Sequence, residues 1–217
     1  MVLYDTLTRG LRQLYELDVS VCELTDRCIP TLVKALQDKH CQLTVLSLGF
    51  SAIGDKGACR LFEDALTKEH CKLTMLDLER CSLTDQCIPS LCKALQDGRC
   101  QLVALSLRNN AIGDEGVGML FEDALTKEHC KLMVLDLAER SLTDQCIPSL
   151  CKALQDERCQ LIFLSLGFTA IGDKGVGILF EDALTKEHCK LTELNLEGCW
   201  LTDQCIPTLR KALRDEH

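Results

Sequence analysis

The chain has 217 residues, 47% of them apolar, 26% charged and 4% aromatic, with a formal net charge of −9. That apolar fraction is far too high for a disordered chain, and no apolar run approaches the ~18–20 residues that cross a bilayer. Asp5 and Arg9 interrupt the start where a secretory leader needs an unbroken apolar stretch, and the acidic balance disfavours nucleic acid as a partner.

In chain order, Leu3–Thr8 (LYDTLT) aligns in register with Phe62–Thr67 (FEDALT), so the chain is expected to start inside a repeat, on a shortened helix. The first strand frame is Leu14-x-x-Leu17-x-Val19. It returns as Leu43-x-x-Leu46-x-Leu48, Leu73-x-x-Leu76-x-Leu78, Leu102-x-x-Leu105-x-Leu107, and so on to Leu191-x-x-Leu194-x-Leu196, seven frames in all. From the second frame on, each follows a cysteine: Cys41, Cys71, Cys100, Cys130, Cys159 and Cys189, spaced alternately by 30 and 29. Period-2 leucines predict short strands with leucine pointing inward.

Between frames, two kinds of helical segment alternate. One reads Ala52-Ile53-Gly54-Asp55-Lys56-Gly57 and continues with Leu61, Phe62, Ala65 and Leu66 at helical spacing; Asp55 is placed to cap its start. The other reads Leu83-Thr84-Asp85-Gln86-Cys87-Ile88-Pro89, and its proline predicts a helix starting near Pro89. The Gly-Asp-Lys-Gly runs lack the spacing and the Gly-Lys-Ser/Thr of a phosphate loop, so they read as turns. In the last copy, Arg210 and Arg214 replace Cys92/Cys151 and Gln96/Gln155, as in a polar closing repeat.

One such unit cannot bury its apolar face alone, whereas stacked units can. The expected fold is therefore α/β: a right-handed solenoid with parallel strands on the concave face and helices on the convex face. Residues 1–217 read as a single domain of seven strands with alternating 30- and 29-residue repeats. Without an export signal, the sixteen cysteines read as reduced thiols filling a leucine-rich core in the cytoplasm.

The Leu-x-x-Leu-x-Leu-x-x-(Asn/Cys)-x-Leu frame with its 29/30 alternation resembles the ribonuclease-inhibitor type of leucine-rich repeat. The same type forms the sensor region of NACHT-domain innate-immune receptors. The resemblance implies Asn or Cys at the turn after each strand, hydrogen-bonded to neighbouring backbone. Here that place holds Cys22, Ser51, Cys81, Asn110, Arg140, Thr169 and Cys199. Six of these can sit inward; Arg140 should swing out or distort its turn.

The repeats serve as their own alignment. Residues 41–99 and 100–158 differ at 15 positions, ten of them in the strand windows 44–51 and 74–81, where an even spread would place about four. The helical run LFEDALTKEHCK is identical in three copies. A fixed frame with a varied strand face is what a binding surface on a rigid scaffold looks like. Alternation assigns to that face Asp18; Val45, Ser47 and Phe50; Met75, Asp77, Glu79 and Arg80; Arg108 and Asn109; Asp136 and Glu139; Phe163 and Phe168; and Glu193, Asn195 and Glu197, with Trp200 added as an aromatic anchor. Glu16, Ser20, Gly49, Ala104, Ser106, Val134, Ala138, Ser165 and Gly167 share it. It is an acidic trough with aromatic anchors, suited to a basic partner protein.

No histidine falls on this face; His40, His70, His129 and His188 precede the frame cysteines, so no Ser-His-Asp or Cys-His arrangement follows. Equivalent His-Cys pairs lie two repeats apart, beyond the reach of one zinc, and no Cys-x-x-Cys occurs. A protein-interaction module is expected, with no enzyme activity, cofactor, metal, nucleic acid or membrane partner, and monomeric or weakly self-associating. Alternatives are the recognition segment of a larger NACHT receptor and, by fold analogy, a GTPase activator using Arg80 or Arg108 as its finger.

Overall fold

The computed structural model describes residues 13–139 and 142–212, and in it every frame becomes a three-residue strand. These are β1 (Glu16–Asp18), β2 (Val45–Ser47), β3 (Met75–Asp77), β4 (Ala104–Ser106), β5 (Val134–Asp136), β6 (Phe163–Ser165) and β7 (Glu193–Asn195). All pair in parallel and in sequence order, so the seven form one open sheet. The register joins equivalent residues: Leu17, Leu46, Leu76, Leu105, Leu135, Leu164 and Leu194 run along one row. From Leu46 to Leu164 that row is at most 2% exposed. Truncating one of its central members, such as Leu105, to alanine removes contacts with two neighbouring repeats and costs about 2–5 kcal/mol.

Between strands run α1 (Ile29–Leu36), α2 (Gly54–Leu61), α3 (Ile88–Gln96), α4 (Asp114–Leu120), α5 (Ile147–Gln155), α6 (Asp173–Leu179) and α7 (Ile206–Ala212). The odd-numbered helices have Pro in their first turn, as Pro89 predicts. A 3-10 turn, such as Asp85–Cys87, leads into each of them, with a threonine hydroxyl capping its start. The even-numbered helices widen at their ends into π-helical turns, Phe62–Leu66, Phe121–Leu125 and Phe180–Leu184. The wide turn sinks Phe62 and Phe121 completely into the core. Helices thus cover the back of the sheet and the result is an α/β horseshoe.

Asp55 is not the cap expected of it. It lies inside the first turn of α2, and its carboxylate accepts from the Thr84 amide (2.8 Å) and hydroxyl (2.7 Å) of the next repeat. Asp114 and Asp173 grip Thr143 and Thr202 in the same way. Asp85 and Asp144 answer from the other repeat type, accepting from the Gly113 and Gly172 amides. The second glycine of the run packs directly on these aspartates: a Cβ on Gly116 would collide with the Asp85 carboxylate. The Gly-Asp-Lys/Glu-Gly runs are therefore a repeat-to-repeat clamp.

At the turn after the strand, Ser51, Cys81, Asn110 and Thr169 are buried, and Cys199 is half-buried. Asn110 is fully engaged: it accepts from the Cys81 and Leu83 amides and donates to the Leu78 and Leu107 carbonyls. Cys22, expected to sit inward, is exposed; among the described residues it has a neighbouring turn on one side only. All sixteen cysteines are free thiols. Burial pushes the Cys71 and Cys130 thiols up to about 11. The expectations for Leu3–Thr8, Arg140 and Arg214 concern residues outside those described.

Candidate functional site

The strand face carries three columns of side chains across the repeats. The middle column is Asp18, Ser47, Asp77, Ser106, Asp136, Ser165 and Asn195, aligned by the strand register. Its acids look back at their own chain. Asp18 accepts from the Ser20 amide (2.9 Å), Asp77 from Glu79 (2.8 Å) and Asp136 from Ala138 (2.9 Å), and the Asn195 side-chain oxygen takes Glu197 (2.8 Å). Each closes the bend that leaves its strand, a local turn for which Asp and Asn are suited. The Ser20 bonds hold the Asp18 carboxyl below its ordinary range. Ser20, Ser47 and Asp77 also link across three strands, at 2.6 and 2.7 Å.

Alternation overstated the exposure of this face. Ser165 is 3% exposed, and Ala104, Ala138, Gly49 and Gly167 are also buried. Small residues here lie below the side chains of adjacent strands: a Cβ on Gly49 would come within 3.1 Å of the Asp77 carboxylate. Val45, Ser47, Asp77, Glu79, Arg108, Asn109, Asp136, Glu139, Phe163 and Asn195 are half-buried. Asp18, Phe50, Met75, Arg80, Phe168, Glu193, Glu197 and Trp200 are exposed.

The column at the loop edge has a feature that periodicity does not reveal. Val21, Phe50, Arg80, Asn109, Glu139, Phe168 and Gly198 all adopt positive φ, between 51° and 78°. The left-handed backbone keeps each Phe50- or Phe168-type amide in the inter-strand ladder, donating to the Glu79 or Glu197 carbonyl, while the chain turns away. Gly and Asn accept this conformation readily; a side chain such as Val or Phe pays about 1–2 kcal/mol. Phe50 and Phe168 nonetheless occupy it and leave 43% and 49% of their surface in water. Backbone strain and an exposed ring at one residue are opposite to what folding alone selects.

Between these two rings lies a charged cluster. Arg108 donates to Glu139 at 2.6 Å and stands 3.7 Å from Glu79, joining β3, β4 and β5. Burial pushes the Glu79 carboxyl up, and Arg108 opposes that shift. The hydrogen bond to Glu139 raises Arg108 further. Arg80 lies 5.6 Å above the centre of the Phe50 ring. Both inner-face arginines are thus already engaged within the chain.

Elsewhere, His40, His70, His129 and His188 are exposed on the loops that leave the helices. A hollow of about 170 Å³ between Phe180, Glu181, Lys186, Thr208 and Lys211 lies on the helix side, away from the strands. Leucine spacing did not bring out Val21 or the Asp–Thr clamps. The clamps had a signal, since Asp55/Thr84, Asp114/Thr143 and Asp173/Thr202 share one spacing of 29.

Family models described as Leucine Rich repeat match residues 39–60, 100–121 and 187–204, and residues 72–94. NACHT, LRR and PYD domains-containing protein 3 of Bos taurus is 35% identical over 94% of this chain, which spans 19% of that relative. The Homo sapiens protein of the same name is 34% identical over 88% of this chain and 18% of its own length. NACHT, LRR and PYD domains-containing protein 5 of Mus musculus is 32% identical over 96% of this chain and 18% of its own length. The chain therefore spans about a fifth of the length of the curated relatives it matches. The same fold occurs in the crystal structure of the Rad7 and Elc1 complex in yeast, with a TM-score of 0.55 and 17% identity over 94% of this chain and 55% of that one. It occurs also in a TLR13–ssRNA13 complex, with a TM-score of 0.53 and 19% identity over 90% of this chain and 24% of that one. Its repeats, its horseshoe and these relatives agree that the chain is a leucine-rich repeat protein, similar to the leucine-rich repeat regions of NACHT-domain receptors.

Proposed function

We propose that residues 1–217 act as one leucine-rich repeat domain that binds a basic partner protein on its concave strand face. What carries the reading is the coincidence of two patterns. Differences between the internal copies concentrate on the strand windows. On the same face, Phe50 and Phe168 hold exposed rings on strained backbone, with Met75 also exposed. Exposed aromatics on a rigid frame are the usual anchors of a protein interface. Glu16, Asp18, Glu193 and Glu197 leave the two ends of the trough acidic, which favours a basic partner.

The similarity to NACHT, LRR and PYD domains-containing proteins supports a second reading, in which this domain is the recognition segment of a larger cytosolic innate-immune receptor. A GTPase-activating role has less behind it, because Arg80 and Arg108 are both engaged.

The test compares two variants against the partner captured by the wild-type protein. Phe50→Ala with Phe168→Ala should abolish capture while leaving the circular dichroism spectrum unchanged. Equal loss on replacing Lys68, Lys127 and Lys186 of the helix side would overturn the reading.

A further inference from the structure

One segment of the chain occurs twice with a single difference. Leu46–Gly57 and Leu164–Gly175 share every residue except Ser51, which is Thr169 in the second copy. Strand and exposed ring fold alike in both, with Phe50 and Phe168 at φ 58° and 57°. The turn into the helix does not. Gly172 is extended (φ −111°), and its amide donates to the Asp144 carboxylate of the preceding repeat at 2.8 Å. Gly54 stands at φ 62°, and its amide goes the other way, to the Cys81 carbonyl of the following repeat at 2.9 Å. The helix responds: α2 takes in Gly54, whereas α4 and α6 begin one residue later, at Asp114 and Asp173.

The aspartate of the preceding repeat follows the turn. Asp144 packs so tightly that a Cβ on Gly175 would collide with its carboxylate. Asp26, its counterpart, does not hold that place: a Cβ on Gly57 would first meet the Ile53 side chain, and the Asp26 carboxylate lies 3.6 Å from Lys56 at the surface. Gly113 repeats the gripped form, donating to Asp85 at 2.7 Å. The glycine amide has an acceptor in either form, so neither leaves it stranded. The released form needs a left-handed residue, which glycine supplies without steric cost, and the ion pair it gains is exposed and worth little. One sequence therefore holds both forms, and its neighbours decide between them.

We propose that the turn Ala52–Gly57 is a two-state joint between the first and second repeats, released in this structure and able to close into the form held at Gly172. Closing passes the Gly54 amide from Cys81 to Asp26 and adds the clamp that this junction lacks. A single glycine absorbs the change of backbone angle, as hinges do. The joint lies between the repeat that carries Glu16 and Asp18 and the one that carries Phe50, so it sets how firmly that acidic end of the trough is held beside the ring. It is a property of the fold and does not depend on what the trough binds.

The experiment compares the full chain, isotope-labelled, with Gly54→Ala by amide hydrogen exchange and urea unfolding. Alanine disfavours the left-handed form by about five- to thirtyfold. In the gripped form a Cβ meets only ordinary contacts, 3.6 Å at Gly113 and 3.7 Å at Gly172, so Gly54→Ala should close the joint. Exchange of the Val19 and Val21 amides, which donate to the Ser47 and Gly49 carbonyls across the junction, should then become slower. Asp26→Ala should change the urea midpoint little in the wild-type chain and lower it in the Gly54→Ala chain. Gly172→Ala, whose turn is already closed, should leave exchange at Leu137 and Glu139 unchanged. Exchange at Val19 and Val21 that is unchanged or faster in Gly54→Ala overturns the joint, as does an Asp26→Ala effect no larger there than in wild type. Equal slowing from Gly172→Ala would mark a general effect of alanine and overturn it too.

Discussion

The Asp114 carboxylate accepts two hydrogen bonds from Thr143 in the following repeat, one from its amide at 2.8 Å and one from its hydroxyl, at 2.6 Å. The same grip recurs at Asp55–Thr84 and Asp173–Thr202, so one clamp stands at every second junction of the solenoid. A repeat array is held together by neighbour interfaces alone. Asp114→Ala leaves the Thr143 amide without its acceptor and should cost about 2–3 kcal/mol, by the worth of charge-assisted bonds. Asp114→Asn, which keeps one acceptor oxygen, should cost less. Urea midpoints measure both, and an alanine variant as stable as wild type would show that the clamp is ornamental.

Acid should loosen the helix side first. Asp97 and Asp156 are held down to about 2 by hydrogen bonds from Arg99 and Arg158. Their folded values lie below the ordinary carboxylate range, so the unfolded chain binds more protons between about pH 4 and pH 2. The stability these pairs contribute is present above about pH 4 and is lost as pH falls through their folded values. Arg99→Gln with Arg158→Gln should lower the urea midpoint slightly at pH 6 and approach the wild-type midpoint near pH 2. A difference that grows on acidification would reverse the sign of the argument. The pairs are exposed, so the effect is small.

Much of the fold was legible from leucine spacing, and less of the site. Period-2 leucines locate all seven strands, because a buried residue must recur wherever its neighbour in the stack recurs. Spacing says which residues are equivalent, but not which partner a polar side chain chooses 29 residues away. Hence Asp55 reads as a helix cap and is a clamp, and Asp77 reads as an open trough acid although it closes its own turn. Ser165 reads as exposed because alternation counts faces, whereas burial depends on the size of what stands on either side. The positive φ of Phe50 and Phe168 left no trace, since neither residue type favours it.

Thiol chemistry should follow burial along the stack. Cys22 is exposed, whereas burial pushes the Cys81 and Cys151 thiols up to about 11 and Cys92 to about 12. The thiolate is the reactive form, so at pH 8 the buried thiols are both shielded and almost wholly protonated. Brief treatment of the native protein with iodoacetamide should modify Cys22 and spare Cys81, Cys92 and Cys151. Peptide mass spectrometry reads the outcome, and even labelling of all four would mean that the repeats open readily.

Electrostatics should act on association more than on dissociation. Carboxylates at both ends of the trough attract a basic partner from a distance, and salt shortens that reach to about 10 Å at 0.1 M. The association rate of the isolated partner should fall by roughly tenfold between 50 and 500 mM sodium chloride, with a smaller change in dissociation. A salt-independent association rate would reduce the acidic trough to ordinary solvated surface.

The concave-face claim is tested most directly by where the partner touches. A photo-cross-linking residue is placed at Met75 or Phe163 on the strand face, and at Asp64 or Asp123, exposed on the helix side. Irradiated with the partner captured by the wild-type protein, the chain should form adducts from positions 75 and 163 and none from 64 and 123. Adducts from the helix-side positions alone would contradict the account.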